Sequence, residues 1–111
     1  YSYDHELTDL PESLEILEIN SYYFNRELSN LPNGLKKLSF IKYSNFNQSI
    51  DSLSDNVEEI YLPKNYNKEI NKLPLNLKKI CINEIYPYTK EIIDKYKGRG
   101  KIIVKCNTQY F

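Results

Sequence analysis

The sequence predicts a β-rich solenoid in which short repeats stack into a parallel inner sheet of about five short strands, followed by a C-terminal helix-strand cap. The first observation is the skeleton aromatic-Asn-x-x-Leu-x-x-Leu-Pro-x-x-Leu-x-x-Leu-x-Phe, which is clearest from Phe24 to Phe40. The second is its recurrence from Tyr3, Phe24, Phe46 and Tyr66, at steps of 21, 22 and 20 residues. A period near twenty residues is too short for two helices and is typical of leucine-rich repeats.

The third observation is that all four copies are apolar or aromatic at the same six positions, although the chain is only 41% hydrophobic. One repeat cannot bury such a face alone, so neighbouring repeats are expected to stack around a shared core. Equivalent positions should then lie in rows. The row expected at the centre of the core consists of Leu17, Leu38, Ile60 and Ile80.

These patterns divide the chain into two parts. Residues 1–83 hold the four repeats, and residues 84–111 hold the cap. Period-two alternation predicts strands near 16–20, 37–41, 59–63 and 79–83. In the cap, Tyr88 to Lys97 has helical spacing and is followed by a last strand, whose core-facing residues are predicted to be Ile102, Val104 and Cys106.

A polar residue follows the first aromatic residue of each copy, and the set is Asp4, Asn25, Asn47 and Asn67. Such side chains bond the backbone of tight turns, and stacked copies can also bond one another. We therefore interpret these positions as structural rather than as a polar ligand site.

The side chains that alternate with the core rows should line the concave face of the solenoid. Their first column runs Glu15, Lys36, Glu58 and Lys78 and alternates in sign, so cross-strand ion pairs are favoured over an ionic binding site. The candidate contact residues for a protein partner are the less charged group of Ser39, Ile41, Tyr61, Pro63 and Cys81. The alternative is that isolated exposed apolar residues carry no function.

Composition and missing motifs exclude several function classes. Fifteen basic and fifteen acidic residues cancel, so no nucleic-acid partner is expected, and no apolar run is long enough for a membrane span. The chain has one histidine, His5, and three glycines, and it shows no catalytic constellation, metal-ligand spacing or phosphate loop. We predict a protein that is not an enzyme and has no cofactor. The locally basic cap is interpreted as a solvated surface, with phosphate contact as the alternative.

The two cysteines are predicted to be unpaired, because the alternation points Cys81 outward and Cys106 inward. Unpaired thiols fit a reducing compartment, so a cytoplasmic location is predicted.

The run from Phe46 to Leu53, together with Phe24-Asn25 to Pro32 and Tyr66-Asn67 to Pro74, resembles the FNIP repeat. This is a short leucine-rich-repeat variant of α/β class, abundant in social amoebae and in giant viruses that infect amoebae. The resemblance covers residues 3–82. The family often has Pro just before the first aliphatic position, where this chain has Glu6, Glu27, Ser49 and Glu69. Members often carry an F-box upstream, which implies the substrate-recruiting arm of a ubiquitin ligase.

Two functional hypotheses follow. The first is a protein-protein interaction module whose partner binds the concave face or the exposed N-terminal end of the stack. The second is a structural or assembly subunit that self-associates through its open edge, for instance a viral protein that is a component of the virion. The virion is then an alternative location.

Overall fold

A computed structural model describes residues 10–100 and 102–106. The predictions that concern Tyr3, Asp4, His5 and the N-terminal end of the stack lie outside this part of the chain. Within it, five strands, one α-helix and one 3₁₀ helix follow one another. They are β1 (Ile16–Ile19), β2 (Lys37–Phe40), β3 (Glu59–Tyr61), β4 (Lys79–Ile82), α1 (Thr89–Tyr96), the 3₁₀ helix Lys97–Arg99 and β5 (Ile103–Lys105).

The five strands form one sheet in the order β1-β2-β3-β4-β5, and every neighbouring pair is parallel. The strands have the same order in the sequence and in the sheet, because each repeat contributes one strand and the chain then returns to form the next strand beside it. The predicted parallel sheet of short strands, the C-terminal helix and the last strand are therefore confirmed. This arrangement is compatible with a small repeat fold.

The predicted central row of the core is also confirmed. The register pairs Leu17 with Leu38, Leu38 with Ile60, and Ile60 with Ile80. All four side chains are completely buried. A shift of one residue in any strand would turn its apolar side chains outward, so burial of this row determines the register of the sheet.

A second row of the core is aromatic and extends into the predicted cap. It contains Phe24, Phe46, Tyr66 and Tyr86, whose successive ring centroids are 6.1, 5.9 and 6.1 Å apart. The Tyr66 hydroxyl donates to the Gln48 carbonyl at 2.9 Å, and the Tyr86 hydroxyl donates to the Lys68 carbonyl at 2.6 Å. Tyr86 thus occupies the first aromatic position of a fifth repeat, in which α1 takes the place of the extended segment.

The asparagines after the aromatic row form a hydrogen-bonded ladder. The Asn47 N–H donates to Asn25 Oδ1 at 2.8 Å, and the Asn67 N–H donates to Asn47 Oδ1 at 3.0 Å. The Asn47 amide nitrogen also donates to Asn67 Oδ1 at 2.9 Å. At the equivalent place in the fifth repeat stands Pro87, which has no N–H and so cannot continue this ladder. These contacts agree with the structural interpretation of the asparagines.

The basic residues of the cap bond the backbone of the fourth repeat. Lys95 Nζ donates to the Asn71 carbonyl at 2.5 Å, and Arg99 donates to the carbonyls of Pro74 at 2.6 Å and Leu75 at 2.8 Å. Lys95 and Arg99 therefore join the cap to loop carbonyls of the fourth repeat, of which the Pro74 carbonyl also accepts from the Leu77 N–H. Lys95 is exposed, as the interpretation of a solvated surface expects, whereas Arg99 is half-buried.

The prediction of two unpaired cysteines is wrong, because a disulfide joins Cys81 to Cys106 with a Cα–Cα distance of 5.6 Å. The register pairs Ile103 with Ile80 and Val104 with Cys81. Val104 and Cys106 therefore share the outer face with Cys81 and do not face the core as predicted, whereas Ile102 is buried in the core as predicted. Ile102, Ile103 and Val104 are all apolar, so their sequence does not determine which of them faces the core. The prediction of a reducing compartment rested on unpaired cysteines, so this observation no longer supports it.

We expect the mutation Leu38→Ala to lower the free energy of unfolding by about 3 kcal/mol, because it opens a cavity in the central row. Denaturant unfolding followed by circular dichroism measures this loss. The matched control is Leu75→Ala, since Leu75 is 72% exposed and should change stability by less than about 0.5 kcal/mol. Equal losses for the two variants would contradict the row as the core of the fold.

We expect reduction of the disulfide to lower the free energy of unfolding by about 3 kcal/mol, because the bridge spans 25 residues and closes a loop that contains the cap. Unfolding in urea with and without a phosphine reductant measures the difference. In the double variant Cys81→Ser, Cys106→Ser the reductant should have no effect. A wild-type protein that is equally insensitive to the reductant would show that the cap does not depend on the bridge.

Candidate interaction surface

The outer face of the sheet, which is the concave face of the predicted solenoid, carries paired charges. Lys36 Nζ lies 4.0 Å from Glu15 Oε2, and Lys78 Nζ lies 3.4 Å from Glu58 Oε1. Backbone bonds align this column one residue before each strand, since the Lys36, Glu58 and Lys78 N–H groups each donate to the equivalent carbonyl of the preceding repeat at 2.8 Å. The predicted cross-strand pairing is confirmed. Exposed pairs of this kind stabilise by less than about 1 kcal/mol each.

Tyr61 stands at the centre of the outer face and is engaged by its neighbours. Its hydroxyl donates to Glu59 Oε1 at 2.5 Å. The ammonium groups of Lys37 and Lys79, on the strands either side, lie 5.2 and 5.3 Å from its ring centroid. Burial raises the pKa of Tyr61 to about 12, with further contributions from the hydrogen bond to Glu59 and from its negative charge. The phenol therefore stays protonated in neutral solution.

The structure separates the five predicted contact residues into two groups. Ile41 and Tyr61 are partly exposed and can reach a partner. Ser39, Pro63 and Cys81 are buried, so the prediction that they face solvent is wrong. Ser39 and Cys81 lie in register on either side of Tyr61, and Cys81 is bonded to Cys106 next to β5.

A different group of apolar side chains is well exposed, at the edge of the sheet where the strands end. Tyr22, Tyr23, Tyr43 and Ile85 are 58, 81, 55 and 58% exposed. They lie in the loops between one strand and the next aromatic position. Lys42 lies next to Tyr43, and Lys64 lies in the equivalent loop after β3. We call these six residues the tyrosine rim.

Backbone bonds stack the loops of the tyrosine rim in the same way as the strands. The Asn45 N–H donates to the Tyr22 carbonyl at 2.7 Å, and the Lys64 N–H donates to the Lys42 carbonyl at 2.7 Å. Neighbouring loops are therefore held at about the 4.8 Å spacing of strands in a sheet. The rim is a row of side chains on a fixed backbone.

Positive charge surrounds the middle of the tyrosine rim. Lys42 Nζ and Lys64 Nζ lie 5.4 and 5.6 Å from the ring centroid of Tyr43, within the range of cation–π attraction. Next to Lys64 is a cleft of about 330 Å³, which is lined by Lys64, Asn65, Tyr66, Asn67, Ile85 and Pro87. The rim thus combines exposed aromatic rings, two ammonium groups and a cleft lined by both polar and apolar side chains.

The repeat skeleton does not predict the tyrosine rim. The segments Ser21-Tyr22-Tyr23 and Lys42-Tyr43 fall in the links between skeleton positions. The available signal was the presence of large aromatic residues at positions that neither the core nor the turn requires.

Among residues 10–100 and 102–106, no cluster of three or more His, Cys, Asp or Glu side chains is arranged to hold a metal ion. No helix within the same ranges has the length and apolar character needed to cross a membrane. The absence of enzymatic activity stays a prediction, and His5 lies outside the described residues.

We expect Tyr61 to titrate at a pH near 12, well above the value near 10 of an unperturbed tyrosine. Because the pKa is raised in the folded state, the contribution of Tyr61 to stability is complete below pH 10 and is lost as the pH rises through 12. Absorbance of tyrosinate during alkaline titration, compared between wild type and Tyr61→Phe, measures the shift. Glu59→Gln should lower the Tyr61 pKa, since it removes the neighbouring negative charge. An unchanged titration in that variant would contradict the contact.

Comparison with known proteins supports one assignment. The family model described as FNIP Repeat matches residues 3–43, which contain the first two copies of the skeleton. No curated protein and no solved structure matches the chain. The third and fourth copies, which begin at Phe46 and Tyr66, continue the same aromatic row and the same parallel sheet. The match over residues 3–43 supports an FNIP-repeat protein.

Proposed function

We propose that this chain is a small leucine-rich-repeat solenoid whose function is non-enzymatic binding of another protein. The observation that carries the proposal is the tyrosine rim. Within the described part of the chain, four of the seven exposed large hydrophobic side chains belong to it. Tyrosine is enriched among the residues that dominate protein–protein affinity, because it offers a large rigid surface and a polar group at its tip.

The state of the outer face also supports binding rather than acid–base catalysis. Lys36 and Lys78 pair with Glu15 and Glu58, and the Tyr61 phenol bonds Glu59. These ionisable groups take part in contacts that hold neighbouring repeats together. Ile41 and Tyr61 remain candidates for a secondary contact because they are partly exposed next to the rim.

The family resemblance extends this proposal to a narrower role. If an F-box precedes the repeats, the solenoid is the arm that recruits the substrate of a ubiquitin ligase to its adaptor. The full coding sequence tests this extension, and the lack of an F-box upstream would remove it.

A structural or assembly subunit, such as a virion component, is the second candidate function. The observation that favours it over a cytoplasmic adaptor is the disulfide between Cys81 and Cys106, since disulfides persist on virions and in other oxidising environments. Alkylation of the protein from its natural source, followed by mass spectrometry, decides between the two locations. Free thiols at both cysteines would support the cytoplasm.

We expect the double variant Tyr22→Ala, Tyr43→Ala to bind the natural partner at least about tenfold more weakly, because each substitution removes an exposed aromatic anchor. The partner is first identified by placing a photoreactive phenylalanine at position 43 and cross-linking in the source cells. Calorimetry then measures its affinity. The matched control is Leu75→Ala, which shortens a side chain that is 72% exposed outside the rim.

Unfolding curves should show equal stability for the wild type and the double variant, because both tyrosines are exposed. Equal binding by the double variant and the control would remove the tyrosine rim as the contact surface. Size-exclusion chromatography with light scattering supplies a separate readout. A monomer fits a binding module, whereas a defined oligomer or filament would favour the assembly subunit.

A further inference from the structure

We propose that the tyrosine rim binds an acidic, extended segment of its protein partner. This inference rests on the proposed function and adds the chemistry of the partner. It draws on three properties of the rim: its length, the position of its positive charge and the cleft with apolar side chains at one end.

The length of the rim suits a short extended peptide. Bonds between neighbouring loops, from the Asn45 N–H to Tyr22 and from the Lys64 N–H to Lys42, hold the loops at the strand spacing. Three steps of about 4.8 Å separate the loop of Tyr22 from the loop of Ile85, which gives a distance of about 14 Å. About four residues of an extended chain cover this distance at roughly 3.3 Å each.

The positive charge of the rim is concentrated at Tyr43. The ammonium groups of Lys42 and Lys64 come from two successive loops, and both approach the ring of Tyr43, which is itself 55% exposed. A carboxylate that packs beside this ring therefore meets two cations whose backbones are held in place. An aspartate or glutamate in the partner is complementary to this arrangement, whereas a lysine or arginine would be repelled.

The other end of the rim combines apolar side chains with one of these lysines, because Lys64 also lines the cleft there. The loop of the fourth repeat carries Glu84 in place of a lysine and exposes Ile85, which lines the cleft with Pro87. An apolar side chain is suited to this cleft. The rim thus favours a segment in which one or two acidic residues lie about 10 Å from an apolar residue, which is about three residues of an extended chain.

Exposed aromatic rings beside lysines also occur on platforms for single-stranded nucleic acid. Such platforms need positive charge along the whole path of the phosphate backbone. On this rim the two lysines are confined to the middle and Glu84 stands at one end, and the chain as a whole has a formal net charge of zero. These observations favour an acidic peptide over a nucleic acid.

The test uses display of short random peptides against the immobilised full chain, followed by anisotropy measurements on a fluorescent copy of the most enriched peptide. We expect enrichment of Asp and Glu together with an apolar residue. Lys64→Glu should weaken binding at least about tenfold. The matched control is Lys68→Glu, which makes the same charge reversal at an exposed position off the rim and should change affinity by less than about twofold.

Replacement of the acidic residues of the peptide by lysine should abolish binding, and a single-stranded oligothymidylate should not compete with it. The inference is overturned if the enriched peptides are neutral or basic, if Lys68→Glu weakens binding as much as Lys64→Glu, or if the oligonucleotide competes. In the first two cases the proposed function survives, because the chain still binds a peptide. Absence of any enriched peptide, together with a failed cross-link from position 43, counts against both proposals.

Discussion

Burial of equivalent apolar side chains in one row is the constraint on which the rest of this structure depends. The strands have three or four residues each, which is too short for an isolated pair to be stable in water. They persist because Leu38 and Ile60 each pack against equivalent residues from the repeats on both sides. In a repeat protein, stability is approximately the sum of the stabilities of single repeats and of such contacts between nearest neighbours. The core row therefore also determines the positions of the outer face and the loops.

Side-chain bonds to the backbone complete what the short strands leave unsatisfied. The asparagine ladder from Asn25 to Asn67 bonds the backbone between aromatic positions, where the chain is not in a strand. The cap ends the stack by other means. Pro87 removes a donor, while Arg99 and Tyr96 bond backbone groups of the fourth repeat that have no further repeat to pair with. A terminal repeat therefore differs in sequence because it must satisfy its inner neighbour and face solvent on the other side.

The same stacking explains why the charged side chains of the outer face pair with one another, whereas the side chains of the tyrosine rim are exposed. On the outer face, long charged side chains lie at strand spacing and pair with one another, as Lys78 does with Glu58. At the rim the chain leaves the sheet to reach the next aromatic position, and side chains such as Tyr22 and Tyr43 are exposed. The display of exposed tyrosines beside lysines fits the acidic partner that we propose.

The repeat period determined the parallel sheet, the order of its strands and the identity of the core row. The reason is that every copy of the skeleton has its apolar residues at the same positions, so the same side of each repeat is buried. It also determined the roles of the asparagines and the pairing of the charges on the outer face. Tertiary structure alone decided the phase of β5, the disulfide between Cys81 and Cys106, and the burial of Ser39. Each of these features depends on side chains that other repeats bring close in space. The residues next to it in the sequence do not reveal the size or the distance of those side chains. The tyrosine rim belongs to the same class, since loops about twenty residues apart in sequence become one surface only when the strands before them are stacked.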